Sequence, residues 1–114
     1  MALRNAASSD LSAQMKRVVW TGMVPGDTAN MANITGIGLL GASMQVQGMG
    51  TGSLALHGSN DGTNFYPLKD AAGNVIAVTA NGLVEIASTA VLYVKPVLTG
   101  GGADNVTVTL VSRA

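Results

Sequence analysis

The side chains in this chain that could do chemistry gather between His57 and Asn64, in the run His-Gly-Ser-Asn-Asp-Gly-Thr-Asn. An imidazole can act as a general base or bind a metal. His57 is the single histidine and there is no cysteine, so neither a histidine cluster nor a thiolate site can form. A metal site would have to be rich in carboxylates. Asn60, Asp61 and Asn64 offer oxygens at close spacing, yet the run lacks the spaced carboxylates and the distal bidentate glutamate of a calcium loop. The same residues are those a reversing chain uses. Gly and Asn tolerate positive φ, and Asn, Asp and Ser side chains cap nearby backbone N–H groups. The run therefore reads as a turn, with His57 structural or solvated on the polar face of a strand. No catalytic, cofactor-binding or metal residue is assigned, and the chain is expected not to be an enzyme.

The remaining candidates are weaker. Gly100 to Gly102 is rich in glycine, but no Lys-Ser/Thr pair follows it and it precedes a strand rather than a helix, so it lacks the N–H groups that cradle phosphate. Lys16 and Arg17 beside Trp20 could hold a phosphate or stack a base, but such a pair is ordinarily a solvated strand end. Asn33 and Asn105 fit the glycosylation pattern, which matters only on a secretory route. Six basic residues balance six acidic ones, removing the broad field expected of a nucleic-acid or anionic-membrane binder. No apolar run approaches the about 20 residues of a membrane span, and the first residues contain no signal-peptide apolar segment.

Charged residues make up only 11% of the 114 residues, against about 25% in ordinary soluble domains. A single domain of this size exposes much of its chain, so an uncharged surface rich in Ala, Gly, Val, Ser and Thr is expected to be covered by a partner. Met23, Met31 and Met44 could add adaptable apolar surface to this picture, although ordinary core filling is the favoured reading of these methionines. Leu3, Arg4, Leu11 and Met15 in the N-terminal segment, together with Met23 and Met31, are the candidates for partner contact.

The elements that position these residues read as strands. Ser53 to Leu68 is the clearest hairpin, with Leu54 and Leu56 alternating with Ala55 and His57 before the turn, and Pro67 placing the return strand at an edge. Lys16 to Val24 forms a strand before the turn Pro25-Gly26-Asp27, and residues 28 to 42 form a loop with one short strand. Ser43 to Gly48, Val75 to Thr79, Leu83 to Ile86 and Leu92 to Leu98 are further strands, Pro96 marking an edge or bulge in the last. Val106 to Ser112 alternates most cleanly of all. Seven or eight short strands without a 3.6-residue period predict an all-β chain, an antiparallel β-sandwich of jelly-roll type over residues 16–114, preceded by a short extended arm at 1–15. Trp20, Leu54, Leu56, Val106, Val108 and Leu110 are the expected core.

Three segments in order carry a resemblance: Trp20-Thr21-Gly22-Met23 with Gly26-Asp27-Thr28, then His57 to Phe65, then Val94 to Gly101 followed by Val-Thr-Val-Thr-Leu. Across about residues 16 to 113 the chain resembles small virion structural proteins of tailed bacteriophages, of the capsid decoration or cement type. The middle segment alone is also similar to the hairpin of discoidin-like carbohydrate-binding sandwiches, although Phe65 stands where a tryptophan is common. The resemblance implies a protein made in the host cytoplasm that binds the outer head surface and bridges subunits of the major capsid protein. It further implies a homo-oligomer, expected to be a trimer, with no cofactor and no nucleic-acid or membrane partner. A neck or tail component and a carbohydrate-binding module are the alternatives.

Overall fold

The computed structural model describes the chain apart from residues 1, 2, 5, 6, 13, 14, 25, 35–39, 89, 90, 102, 103 and 114; at 3, 4, 7–12, 15, 16, 40 and 113 it describes the backbone alone. Among the described residues there is no helix. The strands are β1 (Leu3–Arg4), β2 (Ala7–Ser12), β3 (Met15–Met23), β4 (Thr28–Ala29), β5 (Ala32–Asn33), β6 (Leu40–Gln47), β7 (Ser53–Ser59), β8 (Tyr66–Pro67), β9 (Gly82–Ile86), β10 (Tyr93–Thr99) and β11 (Val106–Arg113). They form a five-stranded sheet, β2-β3-β11-β6-β9, and a four-stranded sheet, β5-β10-β7-β8; β1 and β4 make a small parallel pair.

The pairing is nested. β7 pairs antiparallel with β8, β6 with β9, β5 with β10 and β3 with β11, so the chain is one long hairpin whose tip is the β7–β8 turn. Rolling that hairpin brings β11 against β6 and β10 against β7, which completes both sheets. The result is a jelly-roll sandwich, with β2 added outside β3.

Alternation explains which face each strand buries. Val106, Val108 and Leu110 of β11, Val18 and Trp20 of β3, and Met44 and Val46 of β6 point inward from one sheet. Leu54, Leu56, Val94 and Leu98 meet them from the other. Trp20 is fully enclosed, and its indole N–H donates to the Asn30 carbonyl at 2.8 Å, so its bulk is buried without stranding its donor. Met23 is also fully buried, although it lies three positions after Trp20. Strict alternation would put them on opposite faces. A bulge resolves this: Val108 opposes Trp20 and Val106 opposes Met23, leaving β3 one extra residue, and Gly22 adopts φ +69 there.

The sandwich differs from the sequence reading in three places and bears out a fourth, the edge at Pro96. Residues 7–12 are not a detached arm but pair with β3 as its edge neighbour, Ser9 opposite Arg17 and Ala7 opposite Val19, and β1 pairs with β4. An extended polar segment that can return along an open strand edge gains ladder hydrogen bonds that composition alone does not reveal. The loop over 28–42 holds two short strands, β4 and β5, and the start of β6. Val75 to Thr79 makes only isolated bridges, Val75 to Lys69 and Val78 to Leu54, as it crosses between the sheets. Pro96 lies where β10 has lost its outer neighbour, since β5 reaches only Tyr93 and Val94; there a missing N–H breaks no outer ladder.

The end of the sandwich remote from the hairpin tip is tied by a buried carboxylate. Asp104 is nearly inaccessible and accepts hydrogen bonds from the backbone N–H groups of Gly50 and Gly52, the latter at 3.1 Å, joining the β6–β7 and β10–β11 connections. The Asn81 side-chain oxygen accepts a further bond from the Met49 N–H at 2.9 Å. Asp104→Ala would remove the acceptor of the buried Gly52 N–H and of the partly buried Gly50 N–H, and a loss of about 2–3 kcal/mol is expected in urea denaturation.

Candidate functional site

The residues singled out for chemistry stand at the opposite end, around the hairpin tip. β7 ends at Ser59 and β8 begins at Tyr66, with Gly58 opposite Tyr66 and His57 opposite Pro67. Between them the chain is fixed by its own side chains. The Asp61 carboxylate accepts from the N–H groups of Thr63 (2.9 Å) and Asn64 (2.8 Å), from the Asn64 side-chain amide (2.9 Å) and from the Ser59 hydroxyl (2.8 Å). The Ser59 oxygen in turn accepts from the Gly62 N–H at 2.9 Å. The backbone donors of Asn64 and Thr63, followed by the Asn64 amide and the Ser59 hydroxyl, hold the Asp61 carboxyl well below the usual carboxylate range. Asp61 is thus an anion whose oxygens are occupied in shaping a turn, as an Asx motif does, rather than an acid or base.

The turn is anchored to the β9–β10 connection by the Asn60 side-chain oxygen, which accepts from the Leu92 N–H at 3.2 Å. Beside it lies an open groove of about 450 Å³, walled by Asn60, Asp61, Asn64 and Tyr66 with Leu68 and Val91 at its base. Gly58 permits that base to close: a Cβ there would stand 2.9 Å from Val91 Cγ2 and 3.0 Å from Leu68 Cδ2. Tyr66 is 70% exposed on the rim. Met31 (40%) and Leu92 (39%) are exposed at the same end, Met31 packing beside Tyr93 over Gly62.

His57 does not face this groove. It lies half-buried on the outer face of β7, directly opposite Lys95 of β10, whose ammonium sits 4.4 Å from the centre of the Phe65 ring. Burial first, and then the Lys95 charge, lowers the His57 pKa from 6.5. Its cross-strand neighbours are Lys95 and Pro67. Among the described residues no three His, Asp or Glu side chains converge.

The partner-contact candidates are scattered by the fold. Met31 is exposed at the hairpin end, whereas Met23 is enclosed between the sheets and supplies core. Leu3 and Arg4 lie in β1, Leu11 in β2 and Met15 at the start of β3; their side chains lie outside the described residues. The sequence reading did not group Tyr66 and Leu92 with Met31, because long-range contacts bring residues 31, 66 and 92 to one end: the β7–β8 and β5–β10 pairs, the Ile34–Leu92 backbone bond and the Asn60–Leu92 bond. The fold and this end together define a small jelly-roll sandwich with an open groove and exposed apolar side chains at its hairpin end. No protein-family model matches the chain, and no curated protein or solved structure does so.

The His57 environment sets a pH response. Its folded-state pKa lies below the unfolded value, so the unfolded chain binds more protons as pH falls through 6.5. Its contribution is therefore complete above that value and is lost toward lower pH. The melting temperature is expected to drop between about pH 7 and pH 5; His57→Gln flattens that slope, and Lys95→Gln raises the His57 midpoint in an NMR titration.

Proposed function

We propose that this chain is a structural protein of a bacteriophage virion, of the capsid decoration type, and that it attaches to the head through its hairpin end. The observation carrying this reading is the set of exposed uncharged side chains, Met31, Tyr66 and Leu92, held around a turn that Asp61, Ser59 and Asn60 lock in place. An aromatic and two aliphatic anchors on a prefixed scaffold lose little conformational freedom on docking, the property that makes such residues hot spots. The low overall charge supports the reading, because charged side chains are depleted at interface cores. The sequence resemblance points the same way. Decoration then works by number: a modest contact repeated by each copy across a lattice stabilises a shell, bridging neighbouring major capsid subunits against internal pressure.

The test is binding of the purified chain to heads that lack it, read as copies per head. Saturation at hundreds of copies supports decoration, a few copies at one vertex support a neck or tail component, and no binding defeats both. Met31→Asp combined with Tyr66→Asp is expected to lower occupancy at least tenfold while the melting temperature stays within about 2 °C, since both side chains are exposed. A second reading, carbohydrate binding, is favoured by one observation: Tyr66 stands beside a groove walled by Asn60 and Asn64 amides. A glycan array that stays silent dismisses it.

A further inference from the structure

The outward face of the five-stranded sheet has an order of its own. Arg17, Val111, Ser43 and Glu85 lie in one row across β3, β11, β6 and β9, and Val19, Thr109, Gln45 and Leu83 lie in the next. These side chains alternate with the buried set, and Leu83 is 67% exposed although leucine is strongly apolar. Each row is complementary to its own reverse. A two-fold axis parallel to the strands, passing between β11 and β6, sets Arg17 of one copy over Glu85 of the other, twice. It also sets Val19 over Leu83 twice and leaves the small and polar residues Val111, Ser43, Thr109 and Gln45 at the centre.

We propose that this face binds a second copy of the same chain, forming a face-to-face dimer about that axis. Charge and apolar complementarity select the occupant: the reversed face is the surface that matches it row by row, as an isologous contact requires. A sheet face four strands wide, at about 4.8 Å per strand, and about 20 Å along the strands covers on the order of 400 Å². Two copies therefore bury on the order of 1,000 Å² once side-chain relief is included, near the lower bound for a specific interface. The dimer is accordingly weak and concentration-dependent. Its symmetry differs from the trimer that the sequence resemblance implies. Because the axis runs along the strands, both hairpin ends point the same way, and a dimer presents two of them to one surface.

Sedimentation velocity on the full chain from about 1 to 500 μM tests this. A monomer–dimer equilibrium is expected, with a dissociation constant on the order of 10–100 μM. Arg17→Glu or Glu85→Arg alone places like charges in contact and is expected to raise that constant at least tenfold. The double swap, R17E with E85R, restores it. A chain monomeric throughout, a trimer, or single variants that dimerise like the parent would overturn the proposal.

Discussion

The structure depends on one constraint: a long hairpin with an apolar side to each strand must roll up until those sides face one another. The nested pairs β7–β8, β6–β9, β5–β10 and β3–β11 satisfy local hydrogen bonding, but a single ribbon of this kind would leave Leu54, Leu56, Val108 and Leu110 in water. Burial at about 25 cal/mol per Å² of apolar surface drives the roll, and pairing of β11 with β6 and of β10 with β7 is its geometric consequence. Everything placed at the two ends follows from it.

The two ends solve different problems with similar chemistry. At one, the buried Asp104 carboxylate gathers the N–H groups of Gly50 and Gly52, so two glycine-rich connections close against each other without leaving polar groups unmet. At the other, the exposed Asp61 gathers the N–H groups of Thr63 and Asn64 and holds a turn out in solvent. The first arrangement closes the sandwich. The second fixes a projecting turn beside exposed apolar side chains.

His57 shows how a residue type that suggests chemistry is neutralised by its neighbours. A lysine directly across the strand pair, itself drawn to the Phe65 ring, disfavours the imidazolium. The effect is a pH-dependent contribution to stability. The outer sheet face tells a related story. Arg17 and Glu85 are 68 residues apart in sequence and unremarked as a pair, yet strand register puts them in one row.

Period-2 alternation and turn residues determined much of this protein from the sequence alone. The hairpin at Ser53 to Leu68, the inward set Trp20, Leu54, Leu56, Val106, Val108 and Leu110, and the all-β sandwich are all legible there, because a strand with one buried face writes that face into every second residue. The absence of a cysteine or a second histidine was legible too, and it bounded the chemistry. Strict alternation does not place Met23 on the inward face, since the bulge at Gly22 inverts the pattern there; ordinary core filling, the favoured reading of the methionines, holds for it. The N-terminal strand was hidden because its pairing is supplied by an open edge of β3 rather than by its own pattern. The hairpin end and the Arg17–Glu85 row belong to tertiary structure alone. Residues 31, 66 and 92, like residues 17 and 85, become neighbours only through long-range strand pairing and loop contacts, and no local periodicity encodes which distant segment a strand will meet.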